Sequence, residues 1–159
     1  MIKKIILTVA AFMLFFSCAT YNTHLEDDWT EEQFFKNAQQ SYDDNDLDAA
    51  LFFYEVYLLR FPQNYQKGIA AEYERAFIHY KMKDYELSRT YFNAILEKYN
   101  NSPYAYLYPE AYKVLTEKVL IELDKKEAIS ELPFYLRGRA QKYGIEGIQN
   151  DEERPAKES

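Results

Sequence analysis

Cysteine, histidine and glycine are all scarce in this sequence. Its 159 residues include one cysteine, two histidines and four glycines. A single cysteine excludes a disulfide framework, and two isolated histidines leave no cluster of metal ligands. Few glycines, with hardly any alternating runs of β-branched residues, argue against β-sheet and predict an all-α fold.

A surplus of basic residues is also lacking. The chain carries 26 Asp and Glu against 19 Lys and Arg, a formal net charge of −7. Non-specific nucleic-acid binding requires basic patches that release counterions from the phosphate backbone. We therefore expect no nucleic-acid partner, and the acidity by itself identifies no other partner.

The sequence motifs of common enzymes are absent as well. The chain has no P-loop, no Gly-x-Ser-x-Gly, no His-Glu-x-x-His and no Cys-x-x-Cys. His24 stands alone in a polar stretch, and His79 lies among apolar neighbours, as a packing residue does. The carboxylates alternate with lysines as on solvated helix faces. We expect a non-catalytic protein with no cofactor, no metal site and no small-molecule substrate.

Aromatic residues, by contrast, are abundant, with 16 Tyr and 11 Phe. Tyrosine suits the solvent-exposed edge of a small helical stack, because its ring buries apolar surface area while its hydroxyl stays solvated. A compositional bias of the genome explains the same abundance equally well. The aromatic content therefore indicates how the helices pack and does not by itself indicate a function.

The first 17 residues have the pattern of a bacterial export signal. Lys3 and Lys4 precede the uncharged apolar run Ile5–Phe16. This run of 12 residues is too short to span a bilayer, which needs about 20 residues. The segment therefore predicts export and not a transmembrane anchor.

Cys18 follows the apolar run directly. The sequence Phe15-Phe16-Ser17-Cys18 resembles a lipobox, although Phe15 replaces the usual leucine, and this implies lipidation of Cys18 with a polar tether over 18–29. Several acyl chains anchor a protein durably, so the expected location is the cell envelope, at the outer membrane facing the periplasm. The alternative is ordinary cleavage after Ala19, which leaves a soluble periplasmic protein.

The stretch from Phe34 to Pro62 recurs 38 positions later in the chain. The shift pairs small residues with small residues, Ala38 with Ala76 and Ala50 with Ser88. It also pairs the aromatic residue Tyr54 with Phe92. In each copy the small residues lie where two antiparallel helices must approach closely, and the aromatic residue closes the hairpin. A period of this length with two helices per unit is typical of stacked helical repeats.

The repeated unit resembles the tetratricopeptide repeat. That pattern consists of a small residue, a polar turn with aspartate, a second small residue, an aromatic residue and a proline, here Ala38, Asp46, Ala50, Tyr54 and Pro62. The second copy departs from it with Ser88 for alanine and Asn100 for proline. The resemblance implies a stack of about six antiparallel helices, with two clear repeats and a divergent third hairpin.

Capping residues and helix-breaking residues set the expected helix boundaries. The predicted helices cover 31–42, 47–60, 65–81, 85–98, 109–123 and 128–143, with an irregular stretch over 104–108 and a polar turn over 124–126. Thr30 with Gln33 predicts a capping box, and Trp29 on Phe34 a hydrophobic staple. The helical domain thus covers 30–143, and a disordered acidic tail follows over 144–159.

A tetratricopeptide stack lines a concave groove with the first helix of each repeat. The resemblance therefore places six residues on that face: Phe35, Gln39, Tyr42, Tyr73, Phe77 and Tyr80. Exposed rings in a groove would bind an extended or helical peptide. The alternative is that the fifth and sixth helices fold over the groove and bury some of these rings.

Together with Cys18, the repeats resemble BamD-type lipoproteins, which take part in inserting β-barrel proteins into the bacterial outer membrane. The resemblance covers residues 31–106 and is carried by these segments: 38–40, 46–50, 60–62, 76–81 and 84–85, with Glu55. It implies a scaffold whose partners are a BamA-like barrel protein or unfolded outer-membrane protein segments. This chain has fewer repeats than that family, and a periplasmic adaptor for cell-wall remodelling or division is the alternative.

Overall fold

The computed structural model describes residues 28–144. These residues form six α-helices and one short 3-10 helix: α1 (Glu31–Asp43), α2 (Leu47–Arg60), α3 (Tyr65–Lys81), α4 (Tyr85–Asn101), the 3-10 helix (Ala105–Leu107), α5 (Glu110–Glu131) and α6 (Phe134–Tyr143). Each helix packs against the next one in the chain. Residues 28–144 contain no strand, so the prediction of an all-α fold with six helices is confirmed.

Several predicted features lie outside these residues. The export signal, Cys18, nearly all of the tether and all of the acidic tail beyond Gly144 are among them. They remain predictions from the sequence.

The first helix begins as its capping residues require. Gln33 N donates to the Thr30 hydroxyl at 3.4 Å, and Thr30 N donates to the Gln33 side chain at 2.7 Å. The Trp29 ring lies 5.4 Å from that of Phe34, edge to face. The predicted capping box and hydrophobic staple are both confirmed.

The turns inside the first two hairpins have the same backbone geometry. Asn45 and Lys83, which are 38 residues apart, adopt positive φ angles of 60° and 67°. The next residue in each turn, Asp46 or Asp84, then caps the following helix by accepting a hydrogen bond from the backbone three residues on. The repeat seen in the sequence is therefore also a repeat in backbone conformation.

The small signature residues of each hairpin are buried. Four of them are fully buried: Ala38, Ala50, Ala76 and Ser88. The Ser88 hydroxyl donates to the carbonyl oxygen of Ala76 at 2.9 Å. The aromatic signature residues Tyr54 and Phe92 are buried beside them, whereas Pro62 is exposed in the turn after α2.

Two hydrophobic clusters follow the two repeats. The first consists mainly of residues of α1 and α2, among them Phe34, Phe53 and Tyr57, and it also includes Ala71 and Ile78 of α3. The second joins α3 and α4 and also includes Leu123 from α5. Leu123 is 2% exposed, so the third hairpin packs on the second repeat through an apolar residue.

The predicted turn at 124–126 is wrong. Helix α5 continues through these residues to Glu131, and the break falls at Leu132-Pro133. The Arg89 guanidinium on α4 lies 2.5 Å from the Asp124 carboxylate and 3.1 Å from that of Glu127. The helical spacing of three residues places both carboxylates on one face of α5, toward α4. Proline disfavours helix in the residue before it, so the break comes at Pro133.

Candidate peptide-binding groove

The first predicted groove residue, Phe35 on α1, packs against the second helix of its own hairpin. Its ring lies 4.8 Å from that of Tyr57 and 5.5 Å from that of Tyr54, edge to face in both cases. Gln39 is exposed and its amide donates to Asp43 at 2.8 Å. Tyr42 is half-buried. Helix α1 thus offers one face that is partly aromatic and partly polar.

Helix α3 carries a ladder of three stacked rings. Tyr73 lies 6.0 Å from Phe77, and Phe77 lies 5.8 Å from Tyr80. Phe77 and Tyr80 are half-buried. Spacings of three and four residues on one helix place the rings on one face.

The prediction that Tyr73 is exposed is wrong. Its side chain is only 8% exposed, because Tyr112 of α5 and Phe92 of α4 each lie 5.5 Å from its ring. Lys126 of α5 lies over the ring of Tyr80, 5.7 Å from its centroid. Helix α5 therefore covers part of the predicted face, as the alternative interpretation held.

An open groove remains between α1, α3 and the start of α5. It has a volume of about 440 Å³ and is mostly apolar, and its lining consists of Glu32, Phe35, Gln66, Lys67, Ala70, Pro109 and Tyr112. Of the six predicted residues only Phe35 lines it. Pro109 and Tyr112 were not predicted to line a groove, because their helix belongs to the divergent third unit. The signal that could have identified them is an aromatic residue in the first turn of that helix.

Charged and polar contacts hold α1 against α3 at one end of this groove. The Lys67 ammonium group lies 2.6 Å from the Glu32 carboxylate and 3.4 Å from that of Glu31. Glu31 also accepts hydrogen bonds from Asn64 at 2.6 Å and from the Tyr57 hydroxyl at 3.3 Å. The hydrogen bond to Lys67 lowers the pKa of Glu32, and the same bond raises the pKa of Lys67.

Glu74 of α3 is half-buried. Burial raises its pKa. Burial also raises the pKa values of Tyr54, Tyr73 and Tyr112, that of Tyr73 to about 12, and the Glu74 carboxylate is the next cause in all three cases. Burial thus disfavours the charged form of all four groups.

No metal site or membrane span accompanies the groove in the described part of the chain. Residues 28–144 contain no group of three His, Cys, Asp or Glu side chains arranged to hold a metal ion. None of their helices is long and apolar enough to cross a bilayer. The buried His79 packs 5.3 Å from the ring of Tyr91, with Nδ1 3.5 Å from the Asp84 carboxylate.

A protein of Treponema pallidum (strain Nichols) is similar to this chain, with 34% identity over 116 residues. Its description reads "Uncharacterized protein". The match covers 70% of this chain but only 45% of the relative, so the chain spans less than half of the relative's length. No protein-family model and no solved structure matches the chain. The similarity therefore relates this chain to a longer protein and assigns no activity to either.

Proposed function

We propose that the protein is a non-catalytic lipoprotein scaffold, anchored through Cys18 to the outer membrane and facing the periplasm, whose groove binds extended peptide segments. The observation that carries this proposal is the apolar, ring-lined groove between α1, α3 and α5. By resemblance to BamD-type lipoproteins, the segments belong to outer-membrane proteins awaiting insertion. A BamA-like barrel protein is the proposed partner in the membrane.

The dimensions of the aromatic face suit an extended peptide. Alternate side chains of a β-strand lie on one side at a repeat of roughly 6.6 Å. On α3, outside the lining of the groove, the ring centroids of Phe77 and Tyr80 are 5.8 Å apart, which is close to that repeat. Strands of outer-membrane barrels alternate apolar and polar side chains, so such a segment would place one apolar side chain after another along the rings.

The groove is already held open before any peptide binds. Lys67 with Glu31 and Glu32, and Asn64 with Glu31, join its two walls by side-chain contacts. Aromatic side chains lose little conformational entropy on binding, because they have only two rotatable side-chain bonds. A groove with preformed walls therefore loses less free energy to ordering when it binds a peptide.

The direct test is to isolate the protein from detergent-solubilised membranes and identify what accompanies it. We expect a BamA-like barrel protein, unfolded outer-membrane protein segments, or both. Recovery of cell-wall enzymes in their place would support the periplasmic adaptor instead. Absence of barrel proteins from the preparation would contradict the proposal.

A pair of matched variants assigns any such binding to the groove. Ala70 lines the groove, whereas Ala94 is exposed on α4. Ala70→Gln fills apolar space with a polar side chain, so we expect it to reduce recovery of barrel segments several-fold, while Ala94→Gln leaves recovery unchanged. Equal recovery with both variants would place the binding elsewhere on the protein.

A further inference from the structure

A second cavity, of about 300 Å³, lies between α2, α3 and α4. The residues that α3 contributes to its lining follow one another at spacings of one, three and four residues: Tyr65, Gly68, Ile69, Glu72 and Arg75. Such spacings place them on one face of the helix, opposite the face that lines the groove. None of the residues that line the groove lines this cavity. The two are therefore separate places on the molecule.

The charged residues in the lining of this cavity are two cations and one anion, namely Arg75, Lys98 and Glu72. The Lys98 ammonium group forms an ion pair with the Glu72 carboxylate. Within residues 28–144, no carboxylate forms an ion pair with Arg75. The cavity thus has one uncompensated positive charge, although the protein as a whole carries a net charge of −7.

The Arg75 guanidinium is held in place by an aromatic ring. Its central carbon lies over the ring of Tyr91 on α4, 4.0 Å from the centroid. Its Nε atom is buried, and no group within residues 28–144 accepts a hydrogen bond from it. A buried donor without an acceptor costs free energy. Because a stacked guanidinium keeps its N–H groups in its own plane, an oxyanion in the cavity would supply the missing acceptor.

The part of the cavity near the start of α3 includes apolar side chains and open space. Leu58, Phe61 and Ile69 line it, and a Cβ atom added at Gly68 would meet no atom within 4 Å. Glycine within a helix is less favourable than alanine, and here its lack of a side chain enlarges the cavity. Arg75 follows Ile69 by six residues, so the guanidinium lies roughly 9 Å along α3 from this apolar part.

We propose that this cavity binds a small organic carboxylate with an apolar body. Its carboxylate group accepts hydrogen bonds from Arg75, and its body contacts Phe61 and Ile69. A planar carboxylate matches the fork of donors that a guanidinium presents. The volume of the cavity is at the lower end of the range for small-molecule sites. This inference goes beyond the proposed function, because the groove and the cavity share no lining residue.

Isothermal titration calorimetry of the full-length protein in detergent tests the inference, with each probe titrated into detergent alone as the blank. The probes are 3-phenylpropionate, its neutral analogue 3-phenylpropionamide, and inorganic phosphate. We expect the carboxylate to bind at least about tenfold more tightly than the amide, as a hydrogen bond to a charged group provides. Phosphate should also bind at least about tenfold more weakly, because it has no apolar body to bury.

Two pairs of matched variants assign the binding to this cavity. Arg75→Met keeps a long side chain and removes its charge, so it should bind the carboxylate and the amide equally, whereas Lys36→Met on the exposed face of α1 should keep the wild-type preference. Gly68→Leu fills the cavity and should abolish binding of both probes. Gly138→Leu changes an exposed glycine of α6 that also has open space around it, and it should leave binding unchanged.

Each other result would overturn the inference in a specific way. Equal binding of the carboxylate and the amide by the wild-type protein would show that Arg75 recognises no anion. Phosphate binding as tight as that of 3-phenylpropionate would show that the apolar part contributes nothing, and no binding of any probe would show that the cavity is not a site for this class. A carboxylate preference that persists in Arg75→Met would assign the recognition to Lys98. The proposed function is tested separately, by the recovery of barrel proteins.

Discussion

Among single residues, Ser88 shows how the second repeat departs from its pattern without losing its packing. The residue is fully buried on α4 and contacts the backbone of α3. A buried hydroxyl costs free energy unless it forms a hydrogen bond, and that of Ser88 donates to the carbonyl oxygen of Ala76. Serine therefore fits a position where the first repeat has alanine, because the facing backbone supplies the acceptor.

Glu74 is a residue whose charge should lower the stability of the free protein. Burial raises its pKa in the folded state. An acid with a raised folded-state pKa contributes stability that is present below its unfolded-state pKa and is lost as the pH rises through the folded-state pKa. The ionised form of this partly buried carboxylate is therefore unfavourable in the folded protein.

We predict that Glu74→Gln is at least as stable as the wild-type protein at neutral pH. The wild-type protein should regain the difference as the pH falls below the raised pKa of Glu74, while the variant gains nothing from this group. Thermal unfolding followed by circular dichroism at neutral and mildly acidic pH measures both effects. A variant that is less stable than the wild type at neutral pH would show that Glu74 has a favourable partner.

For the helices, the turn conformation decides where each hairpin folds back. Asn45 and Lys83 both adopt positive φ, and a further shift of 38 residues places Ile121 at the equivalent position. A β-branched residue is strongly disfavoured at positive φ. The third unit thus cannot form the same turn, and α5 continues as a helix of 22 residues until Pro133 ends it.

The two turns predict a difference between matched glycine substitutions. A lysine in the left-handed region costs roughly 1 kcal/mol that glycine avoids, whereas asparagine tolerates this region. We expect Lys83→Gly to raise the free energy of unfolding by up to about 1 kcal/mol and Asn45→Gly to raise it less. Urea unfolding measures both. A loss of stability in Lys83→Gly larger than that in Asn45→Gly would contradict this account.

In the whole molecule, stability depends on contacts between neighbouring hairpins. Helices contact their neighbours in the chain, and the second hydrophobic cluster combines residues of α3, α4 and α5. In stacked helical proteins each unit is stabilised by the interface with the next. The apolar contact of Leu123 is therefore expected to hold the third hairpin, and with it Tyr112 and one wall of the groove, against the second repeat.

We predict that Leu123→Ala lowers the free energy of unfolding by about 2–5 kcal/mol, because it leaves a cavity between the hairpins. Ile121→Ala is the control, since Ile121 lies on the same helix with 53% of its side chain exposed, and its effect should stay within about 0.5 kcal/mol. Urea unfolding compares the two variants. Similar effects of both would show that the third hairpin does not depend on this contact.

The sequence by itself determined the local features of this protein. The bounds predicted for α2 and α3 are those observed, and α1 differs by one residue. Caps such as Thr30 and Asp46 act on backbone groups three residues away, so they can be identified without knowing the fold. The same holds for the repeat itself, because small residues at helix contacts and polar turns recur at a fixed spacing.

Only the tertiary structure decided the composition of the groove. Tyr73 is covered and Tyr112 lines the cleft because α5 packs against α3 and α4, and the third unit follows no repeat pattern from which that packing could be predicted. Within residues 28–144 Glu74 has no basic partner for the same reason, since ion pairing depends on which side chains the packed helices bring together. Burial and charge are properties of the assembled stack, whereas helix ends are properties of a few consecutive residues.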